Sequence, residues 1–375
     1  MQSRVSLFKV PGGDTIQILK TKEYLEKLGI EVDISIELQP NLKEYDLVHF
    51  FNLIRPQELY LQAKSAKKQG KKVILSPIYG LYTEYDRRGR EGFAKFLANL
   101  LSSGQIECLK VLVRAIKNRE FHRGTLIFLT TGYRRLQKKI LDLADFLLPN
   151  SQSEMNRIVK DFELDNFPYL VVPNAVDRDL FRDNGTKINK ESEKFKDCVL
   201  CVARIEGRKN QLNVVRAMRN LPYKLVLVGG IAPNHKRYFI QIKKNATKNI
   251  YILGRVDHHL LPQFYALAKV HVLASWMETP GLSSLEAGIM GCNLVIINRG
   301  DTKEYFGDYA YYCEPDSIDS IRQAITKAYE DPVNPELKKR ILNNFTWEKT
   351  AEKTLEAYKR LLSEQLPIRM TGILP

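Results

Sequence analysis

The sequence predicts an α/β protein with two domains, each a parallel β-sheet covered by helices. Strand-like and helix-like segments alternate through residues 5–76, and the alternation restarts at residue 198 and runs to residue 298. Such alternation is typical of parallel sheets with helices on both faces. The length of 375 residues also exceeds the size at which one hydrophobic core usually stops growing. We therefore predict domains at residues 1–174 and 175–349.

The composition is that of an ordinary globular protein, with 44% hydrophobic and 27% charged residues. It excludes a disordered chain, a collagen-like repeat and a small disulfide scaffold. No uncharged apolar run approaches the ~20 residues that cross a bilayer, and the first residues lack the apolar stretch of a signal peptide. The cysteines are odd in number and scattered, so we expect a reduced, cytoplasmic protein. Cys198 and Cys201 form a C-x-x-C within a strand-like segment, which we interpret as core.

In the first domain, residues 5–10 predict a strand, Gly12 and Gly13 a turn, and residues 15–28 a helix that Gly29 ends. Further strands are predicted at 30–36, 45–51, 72–76, 146–149 and 169–172, with a helix at 56–69. Residues 173–175 and the polar stretch 182–196 predict the domain connection.

Residues 51–140 carry 19 Lys and Arg against 6 Asp and Glu, a net charge of +13 out of +15 for the chain. Such a patch indicates an acidic partner: anionic lipid, nucleic acid or a phosphorylated substrate. Within it, residues 93–118 contain two basic amphipathic stretches, a pattern of helices that lie on membranes. For a single helix, a core helix with a solvated cationic face is the alternative.

In the second domain, strand-like and helix-like segments alternate again. Its predicted strands are residues 198–203, 224–228, 250–253, 270–274 and 294–298, and its predicted helices are 211–219, 259–268 and 282–290. A final amphipathic helix is predicted at residues 347–364.

Three loops at the carboxyl ends of predicted strands carry candidate ligand-binding residues, because ligands of α/β sheets bind there. Gly12 and Gly13 let backbone amides approach a phosphate at a helix N-terminus. Arg204 and Lys209 follow the first strand of the second domain, where cations neutralise a pyrophosphate. For Gly12 and Gly13 the alternative is a tight turn that binds no ligand. For Arg204 and Lys209 it is a charged surface loop.

Residues 277–291 are the most informative segment. Gly281, Leu282 and Ser283 expose amides at a predicted helix N-terminus, an anion site. Glu278 lies at the tip of the same loop. Glu286 lies one to two turns into the helix among apolar neighbours, a position from which a carboxylate reaches a ribose hydroxyl. A solvated helix carboxylate is the alternative.

These motifs resemble the retaining nucleotide-sugar glycosyltransferases of family 4, also called glycosyl transferases group 1, which have the GT-B fold. Residues 171–181 (VVPNAVDRDLF) resemble the family's interdomain PNGVD…F stretch, with Ala175 in the place of glycine. Residues 203–209 resemble its GR-x4-K loop, residues 252–256 (ILGRV) its base-contacting loop, and Glu278 with Glu286 its E-x7-E signature.

The resemblance implies two Rossmann-like domains that face a central cleft, with residues 350–375 returning to the first domain. It implies that Arg204 and Lys209 hold the donor pyrophosphate, that Glu286 holds the ribose, and that Glu278 acts catalytically near the reacting carbon. The remaining donor contacts that it implies are Gly12, Gly13, Arg255, Val256, Gly281, Leu282 and Ser283. No metal and no cofactor is expected beyond the nucleotide-diphosphate sugar itself.

One position departs from the family pattern. Many members carry a histidine in the first domain near residues 76–80, where this chain has Tyr79. His49 and His122 are alternatives, although neither fits the motif and His49 on a strand is typical of a core residue.

We therefore expect a cytoplasmic glycosyltransferase that transfers a sugar to a hydroxyl of a lipid-linked or polysaccharide acceptor. Its basic segment would hold it on the anionic inner face of the membrane. A nucleotide-sugar epimerase or hydrolase keeps the fold with another reaction. A nucleic-acid-binding protein would use the basic segment and leave the second domain's site unused.

Overall fold

The computed structural model describes residues 1–80, 82–90, 100–118, 122–182 and 186–363, with the backbone alone at 103 and 114–118. By its contacts the chain divides into two compact units. The first contains Met1–Gly80, Phe96–Pro173 and Trp347–Pro375, and the second contains Leu81–Lys95 and Asn174–Thr346. The segment 82–90 thus belongs to the second unit, although it precedes most of the first unit's helices in the chain.

The first unit contains a three-stranded parallel sheet in the order β1-β2-β3. Its strands are β1 (Leu47–Phe51), β2 (Lys72–Ser76) and β3 (Phe146–Leu147). Its helices are α1 (Gly13–Lys27), α2 (Pro56–Lys68), α3 (Ser103–Asn118), α4 (Arg123–Thr131), α5 (Tyr133–Leu141), α6 (Gln152–Phe162) and the final helix, α14 (Trp347–Leu362). Helix α14 packs on α1, which confirms the predicted return of the final helix to the first unit; residues 364–375 lie outside the described residues. Residues 93–99 of the predicted amphipathic stretch lie outside the described residues.

The predicted strands at 5–10 and 30–36 are wrong. Residues 5–9 form turns, and only Gln2 and Ser35 pair there, as isolated bridges. For residues 5–10 the cause is Arg4, whose buried guanidinium donates to the Ser6 and Val10 carbonyls and pairs with Asp14 at 2.6 Å. These bonds curl the segment that periodicity alone predicts to be extended.

The second unit contains a six-stranded parallel sheet in the order β6-β5-β4-β7-β8-β9. The strands are β4 (Cys198–Val202), β5 (Leu225–Val228), β6 (Ile250–Gly254), β7 (Ala268–Leu273), β8 (Asn293–Ile297) and β9 (Tyr311–Cys313). The helices are α7 (Gln211–Ala217), α8 (Lys236–Asn245), α9 (Leu261–Leu267), α10 (Leu282–Ile289), α11 (Thr302–Phe306), α12 (Ile318–Glu330) and α13 (Pro335–Asn344). Every predicted strand of this domain is confirmed to within two residues.

The hydrophobic core of the second unit lies on both faces of this sheet. One face packs against α9, α10 and α13, and the other against α7 and α12. Cys198 and Cys201 are buried within β4, one toward each face, which confirms their assignment to the core. In the part of the chain that the structure describes, no helix is both long and apolar enough to span a membrane.

His271 on β7 is fully buried, and within the described residues neither of its ring nitrogens has a hydrogen-bond partner. Burial lowers its pKa to about 3, whereas the unfolded residue titrates near the usual 6.5. Below pH 6.5 the unfolded chain therefore binds a proton that the folded chain does not. His271 consequently destabilises the fold as the pH falls from 6.5 toward 3.

We predict that the free energy of unfolding of His271→Phe falls less steeply between pH 6.5 and 5 than that of the wild type. The difference in slope should reach about 1.4 kcal/mol per pH unit. Urea titrations at several pH values measure it, and the exposed His259, changed to Gln, is the control. Parallel curves for His271→Phe and the wild type would contradict the prediction.

Candidate functional site

The strand order of the second unit creates a switch point at which a ligand site is expected. From β4 the chain proceeds outward to β5 and β6, then returns to β7 on the other side of β4. The loops that leave the neighbouring strands β4 and β7 therefore run in opposite directions and open a crevice at the carboxyl edge of the sheet. We call residues 203–210 the β4 loop and residues 274–281 the β7 loop.

The two loops are joined by hydrogen bonds to their backbone carbonyls. Trp276 N–H donates to the Arg208 carbonyl at 3.0 Å, and the Asn210 side-chain amide donates to the Ala274 carbonyl at 2.9 Å. The same Asn210 amide donates to the Pro315 carbonyl at 2.7 Å. The side chains at the crevice are therefore carried on a rigid frame.

Lys209 and Glu278 form an ion pair across this frame. The Lys209 ammonium donates to Glu278 Oε1, and both side chains are largely buried, with 21% and 8% exposed. Lys209 is placed by a short 3-10 helix, Gly207–Lys209, whose last amide donates to the Glu206 carbonyl. The structure thus brings together Lys209, which we predicted to bind the pyrophosphate, and Glu278, which we predicted to be catalytic.

Arg204 lies on the same loop, with 37% of its side chain exposed and its guanidinium 3.7 Å from Glu206 Oε1. Arg208 binds the same carboxylate oxygen at 2.7 Å and lies over the ring of Tyr82. Burial alone would raise the pKa of Glu206, but Arg208, Arg204 and Lys209 together hold it below its usual range. Glu206 is therefore ionised and balances part of the positive charge of the β4 loop.

Glu278 is positioned through its backbone by the residues that follow β8. The Glu278 carbonyl accepts from Asp301 N–H at 3.1 Å, and Glu278 forms a parallel bridge with Gly300. Gly300 has φ of +75°, and a Cβ built there would lie 2.1 Å from the Glu278 carbonyl oxygen. Only glycine permits this approach.

Gly281 forms the N-cap of α10 with φ of +93°, and the Ser284 and Leu285 amides donate to its carbonyl. The amides of Leu282 and Ser283 belong to the first turn, where helices bind anions. A Cβ at Gly281 would lie 3.5 Å from Glu278 Oε2, so the start of the helix lies beside that carboxylate.

Glu286 lies one turn into α10 and is 7% exposed. Tyr265 O–H donates to its Oε2 at 2.7 Å, and His258 Nε2 lies 2.9 Å from its Oε1. Burial, and to a lesser extent the Glu286 carboxylate, raise the pKa of Tyr265 well above its usual value. The phenol therefore stays a donor. Sequence reasoning missed both partners, since they lie 21 and 28 residues away along the chain with no spacing that indicates contact.

The remaining predicted donor residues belong to other elements. Arg255, which is exposed, and the half-buried Val256 follow β6 at the outer edge of the sheet. Gly12 and Gly13 begin α1 in the first unit, where the Gly12 amide donates to Thr15 Oγ1 at 3.1 Å and Asp14 occupies the first turn. Their contact with a donor stays a prediction.

The three alternatives for the family's histidine are all engaged in hydrogen bonds within the first unit. Tyr79 is buried and its hydroxyl donates to Asp161 at 2.7 Å. His49 is buried between Tyr358 and Ser76, at 2.8 and 2.9 Å, which confirms it as a core residue. The ring of His122 accepts from the Gly124 amide and caps α4.

We predict that Gly300→Ala displaces Glu278 and destabilises the second unit by more than Gly291→Ala. Gly291 is a matched control because it has a similar φ of +86° and open space where a Cβ would stand. The control should lose about 1 kcal/mol from the left-handed backbone alone, whereas Gly300→Ala adds a clash with the Glu278 carbonyl. Equal shifts of the unfolding midpoint in urea would contradict this prediction.

Comparison with known proteins gives a family match over most of the second unit. Residues 184–347 match the family model of the glycosyl transferases group 1. The O-antigen chain mannosyltransferase B of Escherichia coli is 29% identical over 43% of this chain and 45% of its own length, so the alignment spans about half of that relative. A Campylobacter jejuni N-acetylgalactosaminyltransferase, named for an N-acetylgalactosamine-N,N'-diacetylbacillosaminyl-diphospho-undecaprenol acceptor, is 21% identical over 87% of this chain and 90% of its own.

Two solved structures have the same fold along nearly the whole chain. Sucrose-phosphate synthase of Thermosynechococcus elongatus superposes with a TM-score of 0.67 at 16% identity, covering 94% of both chains. HepE of Anabaena, in complex with UDP and glucose, superposes with a TM-score of 0.67 at 14% identity, covering 96% of this chain and 99% of that chain. The chain therefore has the GT-B fold, and its residues 184–347 match the model of the glycosyl transferases group 1.

Proposed function

We propose that the protein is a retaining glycosyltransferase that uses a nucleotide-diphosphate sugar and acts on a hydroxyl of a lipid-linked or polysaccharide acceptor. The observation that carries the proposal is the buried Lys209–Glu278 pair at the switch point, beside the start of α10. The relatives support the class of acceptor, since one is named for O-antigen chains and another for a diphospho-undecaprenol-linked saccharide.

In this proposal the donor diphosphate binds between the β4 loop and the start of α10. As the bond between the sugar and the diphosphate breaks, negative charge develops on the leaving phosphate oxygens. Arg204, Lys209 and the amides of Leu282 and Ser283 stabilise that charge, and because they are already in place the reaction needs little reorganisation. The acceptor hydroxyl attacks the anomeric carbon from the face that the diphosphate leaves, and its proton passes to the departing phosphate oxygen.

The two carboxylates have different tasks in this scheme. Glu286, oriented by Tyr265 and His258, accepts hydrogen bonds from the ribose hydroxyls of the donor. Glu278 contacts the donor sugar near the reacting carbon. Arg255 and Val256 contact the nucleotide base. Since the positive charge comes from side chains and amides, we propose that transfer needs no metal ion and no further cofactor.

We predict that Arg204→Gln lowers the turnover of sugar transfer about 10²- to 10³-fold, as expected for the loss of one preorganised donor of positive charge. The variant should keep the wild-type melting temperature, because Arg204 is partly exposed and 3.7 Å from its carboxylate partner. Glu278→Gln should lower the turnover at least as much as Arg204→Gln does. Arg219→Gln, which changes an exposed arginine bound to Asn245, is the matched control.

The assay begins with a thermal-shift panel of UDP, GDP, ADP and CMP sugars in EDTA, followed by transfer to a prenyl-diphosphate-linked saccharide. An anomeric configuration in the product equal to that of the donor is expected. Wild-type turnover by Arg204→Gln would overturn the site assignment. An inverted product, or release of free sugar without an acceptor, would overturn the proposed reaction.

We further propose that the protein attaches peripherally to the anionic, cytoplasmic face of a membrane through its basic residues 51–140. Besides the net charge of this segment, helices α3 and α4 expose large apolar side chains: Leu109 and Val113 at 41% and 55%, and Leu126 and Leu129 at 62% and 41%. Apolar side chains exposed on adjacent helices of a basic segment are typical of a surface that enters the lipid interface.

We predict that Leu126→Gln/Leu129→Gln weakens co-sedimentation with vesicles that contain phosphatidylglycerol, and that binding by the wild type falls as salt rises. Ile240→Gln, which changes an apolar side chain 50% exposed on α8 of the second unit, is the control and should bind as the wild type. Salt-independent binding, or equal binding by all three proteins, would contradict attachment through this surface.

A further inference from the structure

The second unit contains a further polar cavity of about 650 Å³, between helices α7 and α8, the β4 loop and the segment 82–90. Its size is within the range of small-molecule pockets. None of the residues to which we assign donor contacts is among those that line it. Gly207 and Trp276 form part of its wall, so it borders the frame that carries Lys209 and Glu278.

The lining of this cavity is strongly cationic. Four arginines line it, Arg88, Arg90, Arg216 and Arg237, and Asp316 is the carboxylate among the lining residues. Arg88 pairs with Asp316 at 3.1 Å, and Arg90 pairs with the buried Asp86 at 2.7 Å. Two of the arginines are therefore neutralised within the protein.

Arg216 and Arg237 differ from these two, because neither forms an ion pair with a carboxylate in the described parts of the chain. Arg216 contacts the Asn213 side-chain oxygen at 3.3 Å, a neutral group. They lie on adjacent helices that pack on each other, α7 and α8, so two guanidinium groups that have no carboxylate partner among the described residues line one cavity. Positive potential of this kind attracts an anion.

The rest of the wall is polar and aromatic rather than acidic. His235 Nδ1 accepts from the Gly207 amide at 3.3 Å, so in the neutral ring the proton is on Nε2, which is a donor. Trp276 and Tyr85 pack together on the side of the segment 82–90. Guanidinium forks match the oxygens of a phosphoryl group in pairs, and aromatic faces suit the apolar surface of an attached ring.

We propose that this cavity is a second binding site, separate from the donor site, for a phosphorylated small molecule whose phosphoryl oxygens contact Arg216 and Arg237. The proposal does not depend on the transfer reaction, since it concerns binding alone. Its ligand class follows from two arginines without counter-charge, a cavity of small-molecule size and a wall of neutral donors and rings.

The test measures binding of inorganic phosphate and of glucose 6-phosphate by calorimetry at 150 mM salt. We expect Arg216→Gln/Arg237→Gln to weaken both by about 10- to 100-fold for each charge-assisted contact removed. Arg219→Gln should bind as the wild type, because it removes the same charge outside the cavity. Arg237→Gln alone changes an exposed residue and keeps the test valid if the double variant does not fold.

Arg204→Gln separates this site from the donor site. Phosphate binding that Arg204→Gln abolishes and Arg216→Gln/Arg237→Gln leaves intact would belong to the β4 loop and would overturn the proposal. The proposal would also be overturned if neither probe bound at 10 mM. That concentration is about 1,000 times a dissociation constant of about 10 μM. Retained binding by Arg204→Gln with loss in the double variant would support it, whatever the outcome of the transfer assay.

Discussion

The Lys209–Glu278 ion pair is the constraint on which the candidate site depends. A largely buried pair loses hydration on both partners, and its attraction compensates only when the geometry is held closely. The chain holds it through the backbone, since Asn210 and Trp276 join the loops after β4 and β7, and Gly300 admits the Glu278 carbonyl. Neutral replacements of Lys209 and Glu278 would leave the crevice in place but remove its charge pattern.

Five strands of the second unit could be predicted from the sequence, because each is a short apolar run bounded by turn residues. Strand β9 and helices α8, α11, α12 and α13 were not predicted. Glu278 and Glu286 were identifiable by their spacing on one loop and helix. The partners of Glu286 were not, because Tyr265 and His258 reach it only in the folded chain, from segments 21 and 28 residues away. Local patterns specify elements, whereas contacts between elements depend on the tertiary fold.

The beginning of the chain shows the opposite case. Its apolar residues predict a strand, yet the buried Arg4 guanidinium satisfies its donors on the Ser6 and Val10 carbonyls and on Asp14, and the backbone turns to supply them. A buried arginine that lacked these partners would destabilise the fold by several kcal/mol. No periodicity in the sequence encodes this need, so the prediction failed where a single charge determines the local structure.

The same reasoning explains why the cationic β4 loop is stable before any donor binds. Glu206 and Glu278 supply the negative charge that Arg204, Arg208 and Lys209 need. On the proposed function, a donor diphosphate then exchanges one anionic partner of Lys209 for another, rather than bringing an unpaired cation together with a hydrated phosphate. Lys209 is already desolvated in the folded protein, so its desolvation does not reduce the free energy of donor binding a second time. This exchange also leaves Glu278 without its lysine at the moment of transfer, free to stabilise positive charge that develops on the sugar ring.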